Sequence, residues 1–245
     1  EDTLSLHDAL PIWVDQLKGR SRFRWVEGAV GDWLTDRAAL RGVDRIIHLA
    51  AWAGVRNSTL DPMTYGQANI MDTLALFEAA VRAGVASVVY ASSSSAKRIT
   101  SIYGATKRAC DDLAEAYGRL HGLPLTGLRF HTVYGPWGRP DMMLWKCARA
   151  AVDGSPVDLY NNGDMGRDFT FIDDIVRGVL EVLWRPPQSG EDQAVTHRIL
   201  NIGNAVDALT SGLPRIYNDS VLQLVWFPSV TTATNFTGTY TETQG

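Results

Sequence analysis

Tyr103 and Lys107 stand four residues apart in Tyr103-Gly104-Ala105-Thr106-Lys107. On a helix that spacing puts both side chains on one face. A lysine cation one turn away favours the phenolate form of a tyrosine, which turns an inert phenol into a base near neutral pH. The pair alone is a weak signal, and an exposed helix pair is the plain alternative. Its surroundings strengthen it. Ser92–Ser95 follows directly on the apolar run Ser87–Ala91, and ligand groups in open α/β sheets gather at the carboxyl ends of strands. A Ser93 hydroxyl there could bond the same substrate oxygen as Tyr103; a flexible serine-rich loop is the alternative. His48-Leu49-Ala50-Ala51 ends another apolar run, and its small residues would let a flat cofactor approach closely. His48 itself reads as a packed core histidine. No second metal-ligand candidate sits at a useful spacing, so no metal is expected.

The elements that must position these residues alternate. Arg45–Ala50 and Ser87–Ala91 read as buried parallel strands, Leu125–Phe130 as a third, and Val157–Tyr160 and Ile199–Ile202 as two more. Between them lie helical stretches. Met63–Arg82 carries Ile70, Leu74, Phe77 and Val81 at spacings of three and four, and Gly84 ends it. Tyr103–His121 carries Ala109, Leu113, Ala116 and Leu120 on one face, with Gly122 just past its end. Met142–Asp153 is closed by Gly154, and a helix from Asp173 or Asp174 to about Trp184 is stopped by Pro186-Pro187. Strands alternating with helices imply an α/β fold with a doubly wound parallel sheet.

Composition excludes several classes. The chain has 245 residues, 45% apolar and 20% charged, which fits a folded core and rules out wholesale disorder. A net charge of -4 lacks the basic footprint of a nucleic-acid binder. No apolar run reaches membrane-spanning length. Two cysteines, Cys110 and Cys147, make no disulfide framework, so a reducing, cytoplasmic setting is the default. The chain begins at Glu1 rather than Met, so a fragment or an incomplete reading frame is expected. Thr3–Ile12, TLSLHDALPI, matches the translation of a widely used sequencing-library adapter, so residues 1–12 are set aside from fold reasoning. Residues 205–245 hold four charges and eight threonines with no helical period, and read as an unstructured or out-of-frame tail.

Six segments together resemble the extended short-chain dehydrogenase/reductase family, the NAD-dependent nucleotide-sugar epimerases and dehydratases. They are His48–Asn57 (HLAAWAGVRN), Tyr90–Ser95 (YASSSS), Tyr103–Lys107, Leu128–Met142 (LRFHTVYGPWGRPDM), Arg167–Ile175 (RDFTFIDDI) and Asn201–Asn204 (NIGN). Within the family the combination is most similar to the UDP-glucuronate 4-epimerases. The resemblance implies Tyr103 as general base and acid, Lys107 as its partner and ribose contact, and Ser93 as the hydroxyl shared with the sugar 4-OH. It also implies Leu49, Ala50 and Ala51 lining NAD, with Asp32 and Trp33 toward adenine. On the substrate side it implies Arg167 at the diphosphate, Thr132 and Arg139 at the sugar carboxylate, and Arg56 and Ser58 as further contacts. Related dehydratases carry Thr-Asp-Glu in place of Ser93-Ser94-Ser95, and related decarboxylases a Glu in place of Ser95. This chain has neither carboxylate, and epimerisation needs only the tyrosine and a hydride carrier. Implied partners are a UDP-sugar and a second copy of the chain, paired through Met63–Arg82 and Tyr103–His121.

Three departures bound that reading. No G-x-x-G-x-x-G turn precedes Asp32, although such a turn cradles the cofactor pyrophosphate. Ser93 and Tyr103 are only ten residues apart, a shorter connection than the family carries. The substrate-binding part beyond Asn204 is not recognisable. The expected organisation is therefore a truncated Rossmann-like fold. Residues 13–135 form a partial dinucleotide-binding domain lacking its Gly-rich first unit, and residues 136–204 a nucleotide-sugar region with returning Rossmann elements. The chain as written is expected to be inactive. A non-catalytic remnant with weak UDP-sugar affinity and a UDP-hexose 4-epimerase are the alternatives.

Overall fold

Three of the apolar runs, Arg45–His48, Ser87–Ser93 and Leu125–Phe130, lie side by side as parallel strands, with helices on both faces. The computed structural model describes residues 20–24, 26–158, 168–188 and 196–203, and the backbone of strands at 215–218 and 225–226. In chain order the elements are α1 (Val30–Trp33), β1 (Arg45–His48), α2 (Asn57–Leu60), α3 (Pro62–Tyr65), a π-helical turn (Gly66–Met71), α4 (Asp72–Ala83), β2 (Ser87–Ser93), a 3₁₀ turn (Ser94–Ala96) and α5 (Ile102–His121). There follow β3 (Leu125–Phe130), β4 (Thr132–Tyr134), α6 (Met143–Asp153), β5 (Phe169–Phe171), α7 (Ile172–Trp184), β6 (His197–Gly203), β7 (Arg215–Asn218) and β8 (Val225–Trp226). The main sheet runs β1-β2-β3-β6-β7-β8, and β4 and β5 make a second, two-stranded sheet. β1, β2, β3 and β6 are parallel, whereas β7 and β8 add antiparallel. No helix among the described residues is long and apolar enough to cross a membrane.

The alternation of side chains along β2 builds a core on each side of it. Val88 and Tyr90 join Leu76, Phe77, Ala80, Cys110, Ala114 and Leu125 under α4 and α5. Val89 joins Leu128, Ile175, Val179, Val182 and Ile202 under α7. This is the doubly wound α/β arrangement expected from the sequence. Helix ends follow the glycine rule: Gly84, Gly122 and Gly154 all cap in the left-handed region, at φ of 69°, 64° and 73°.

Several expectations are corrected. β1 is an edge strand with Ile47 39% exposed, not a buried one. β2 runs two residues further than its apolar stretch, so Ser92 and Ser93 are strand residues. The Met63–Arg82 stretch is interrupted by the π-helical turn. α5 buries a different face. Lys107, Cys110, Asp111, Ala114 and Tyr117 point inward, while Leu120 is 77% exposed. Val157 and Asp158 form no strand. β6 is not the last strand, because the stretch read as an unstructured tail contributes β7 and β8. β4 and β5 escaped the sequence reading, since three residues are too few to show a period. Residues 1–12, Leu159–Tyr160, Arg167, Asn204 and most of 205–245 lie outside the described residues.

The chain divides into two compact units, 1–28 with 134–165 and 29–133 with 166–245. The second contains the parallel sheet with Ser93, Tyr103 and Lys107, and the first contains Arg139 and Asp141.

Candidate active site

Helix α5 is tied to β2 through Lys107 and packs through Gly104 on the turn that follows the strand. Ser101 caps the helix, its Oγ accepting the Gly104 N–H at 3.0 Å. Gly104 lies so close to Ser95 that a Cβ there would stand 2.7 Å from the Ser95 carbonyl oxygen, so a side chain at 104 would push the helix off the strand end. Lys107, 5% exposed, donates from Nζ to the Ala91 carbonyl at 2.8 Å. Burial lowers the Lys107 ammonium from its ordinary value, with Cys110 and Asp111 acting the other way. Tyr103 is half-buried one turn earlier, its ring edge-on to Tyr65 at 6.4 Å. Ser93 is buried at the end of β2, and its Oγ accepts the Ser95 N–H at 3.2 Å. The fold thus brings Tyr103, Lys107 and Ser93 to one end of the sheet.

The segment after β1 is clamped to the same helix by residues the sequence reading missed. Asn69, fully buried in the π-helical turn, accepts the Trp52 N–H at 2.7 Å. It donates to the Trp52 carbonyl and to Thr106 Oγ1, both at 3.0 Å. Tyr65 donates its hydroxyl to the Ala53 and Gly54 carbonyls at 2.9 and 3.0 Å. A buried asparagine amid apolar helix positions was the available signal, because it must find partners. Leu49 is 54% exposed, Ala50 exposed and Ala51 half-buried on this clamped segment. His48 is buried, with Nε2 2.9 Å from Thr73 Oγ1. Burial and the Lys107 cation push it down to about 4, so it is neutral near pH 7. It is a packed histidine, as its spacing implied.

The remaining residues vary in placement. Asp32 and Trp33 close α1, where the Asp32 carbonyl accepts Thr35 Oγ1 at 2.7 Å. Arg56 is exposed at the start of α2. Ser58 is fully buried, and its hydroxyl donates to the Val55 carbonyl at 2.7 Å, which ties the turn before α2. Thr132 is half-buried, and its N–H donates to the Asp168 carbonyl at 2.9 Å. In its own unit, Arg139 grips Asp141 through Nε at 2.9 Å and through Nη2. The Arg139 guanidinium holds the Asp141 carboxyl below its usual range.

Residues 11–203 match the NAD dependent epimerase/dehydratase family. The chain belongs to this family. Protein CapI of Staphylococcus aureus is 38% identical over 185 residues, covering 65% of this chain and 55% of CapI. The probable UDP-glucuronate 4-epimerase of Rhizobium meliloti is 39% identical over 180 residues, 65% of this chain and 53% of its own. Among solved structures, UDP-glucuronic acid 4-epimerase from Bacillus cereus, in complex with UDP-glucuronic acid and NAD, superposes with a TM-score of 0.69 at 30% identity. It covers 78% of this chain and 63% of that one. The chain therefore spans about half to somewhat under two thirds of the length of these epimerase/dehydratase relatives.

Proposed function

We propose that this chain carries the catalytic residues of an NAD-dependent UDP-glucuronate 4-epimerase. The observation that carries the reading is the buried Lys107 ammonium tied to the Ala91 carbonyl, which fixes α5 so that Tyr103 stands at the strand end marked by Ser93. The relatives named UDP-glucuronate 4-epimerase support the substrate.

The residues fit one end of the cofactor. Small Ala50 and Ala51 leave room beside the end of β1, and the Lys107 ammonium has N–H groups beyond the one given to Ala91 for a ribose hydroxyl. The sequence holds no Gly-rich turn before Asp32. Bound NAD would supply reversible hydride acceptance at C4 of the sugar. The chain's own part is proton handling and grip. Tyr103 as phenolate takes the 4-OH proton and later returns it. Lys107 holds the phenolate form by its charge. Ser93 donates to or accepts from the same sugar oxygen. Thr132 and Arg167 hold the substrate while the 4-keto sugar turns over.

The test joins the chain to the Gly-rich first unit of the Rhizobium meliloti relative and supplies UDP-glucuronate with NAD. The joined protein is expected to form the 4-epimer, and the chain alone is expected to hold NAD more weakly than micromolar. A joined protein that melts cooperatively yet forms no epimer contradicts the proposal.

A further inference from the structure

Trp52 stands in the segment leaving the carboxyl end of β1, 47% exposed, and the mechanism above gives it no part. That end of an open α/β sheet is where ligands sit. Its ring tilts against Tyr65, with centroids 6.3 Å apart, and Tyr65 meets Tyr103 edge-on at 6.4 Å. Tyr65 is only 1% exposed. Trp52 and Tyr103 therefore rest on one buried ring, and the exposed indole is one aromatic neighbour away from the phenol that handles the proton.

A lone exposed tryptophan needs no explanation. A fixed one does. Asn69 accepts the Trp52 N–H at 2.7 Å and donates to the Trp52 carbonyl at 3.0 Å, so both main-chain groups of residue 52 are held. The same amide donates to Thr106 Oγ1 at 3.0 Å, within the turn that runs from Tyr103 to Lys107. The next two carbonyls, of Ala53 and Gly54, accept the Tyr65 hydroxyl. The main chain under the indole is thus set against α5 before any ligand arrives, and little ordering is left to pay for when something packs on the ring. Packing on Tyr65 accounts for the covered part of Trp52. The exposed part adds nothing to the fold.

We propose that the exposed part of the Trp52 indole is a stacking platform for the hexose ring of the nucleotide sugar. This rests on the substrate reading given above. Sugar C–H groups carry a slight positive charge and the indole face a negative one, so the two attract. The contact makes little directional demand. It keeps hold of a ring that must turn over between oxidation and re-reduction, where hydrogen bonds to particular hydroxyls have to break. Trp52 acts on binding and touches none of the atoms that react.

The test uses the chain itself with UDP-glucuronate at millimolar concentration and UDP as the sugar-free probe. Binding is followed by ligand-observed NMR and folding by thermal melting. Trp52→Leu keeps apolar bulk and removes the aromatic face. It is expected to weaken UDP-glucuronate binding about three- to tenfold, the scale of one aromatic stacking contact, and to leave UDP binding as in wild type. Trp52→Phe retains an aromatic face and is expected to recover most of the affinity. Wild-type affinity for UDP-glucuronate in Trp52→Leu overturns the inference alone. So does an equal loss in the leucine and phenylalanine variants, or a loss shared equally by UDP and UDP-glucuronate. A wild-type chain that takes up no UDP-glucuronate overturns it together with the function on which it rests.

Discussion

Phenylalanine at position 103 is expected to slow 4-epimerisation by about 10²–10⁴-fold in the joined protein while leaving UDP-glucuronate affinity nearly unchanged. The substitution removes the hydroxyl that carries the transferable proton. The ring keeps its edge-on contact with Tyr65, and the helix keeps its Ser101 cap and its Lys107 tether to β2. Binding energy and chemistry should therefore separate, with kcat falling and KM holding. Steady-state kinetics with both variants decides it. Turnover of Tyr103→Phe within a few-fold of wild type would mean that another group moves the 4-OH proton.

The largest stability loss is expected at Asp111. Its Oδ2 accepts from Arg129 Nε at 3.2 Å and from Nη2 at 3.0 Å, with the side chains 7% and 1% exposed. Its Oδ1 accepts the Tyr90 hydroxyl at 3.1 Å, and Tyr90 in turn lies 3.0 Å from His197 Nε2. Burial holds His197 near 4 and so neutral, and keeps the Tyr90 phenol protonated. Gly127 is part of the arrangement, since a Cβ there would overlap the Tyr90 hydroxyl. Asp111→Ala leaves the Arg129 cation buried without its carboxylate. That is expected to cost about 3–5 kcal/mol in urea unfolding, the range for breaking one side of a buried pair. Pairing Asp111→Leu with Arg129→Met should recover much of it, because the buried charge is then gone. A loss under about 1 kcal/mol in Asp111→Ala would contradict the pairing.

That network also marks where the sequence stopped being legible. The strands were readable because β2 carries the continuous apolar stretch Val88–Ala91 and β3 sets Leu125, Leu128 and Phe130 in a short run between helices. Helix ends were readable because Gly84, Gly122 and Gly154 adopt φ values that favour glycine. The inward face of α5 was not. Apolar period points to Ala109, Leu113, Ala116 and Leu120. The helix also buries Lys107 and Asp111, whose partners Ala91 and Arg129 lie on β2 and β3. Asn69 was missed for the same reason, since its value depends on Trp52 and Thr106 being there to meet it. That Tyr103 and Lys107 share a helix and that Ser93 lies at a strand end was legible, because helix spacing and strand end are local properties. Ser58 was carried over by resemblance, and its role in the turn shows only when Val55 is placed beside it. Likewise, nothing in the sequence announces that Asp141 holds Arg139.

Isotope placement tests the central claim most directly. UDP-glucuronate carrying deuterium at C4 would be given to the joined protein with NAD, and both epimers examined by NMR. Oxidation and re-reduction at C4, with Tyr103 handling only the hydroxyl proton, returns to the carbon the same hydrogen that left it. The account predicts that deuterium stays at C4 in both the substrate and its 4-epimer. Deuterium lost from C4 to solvent would show that the carbon is deprotonated, and would contradict the account.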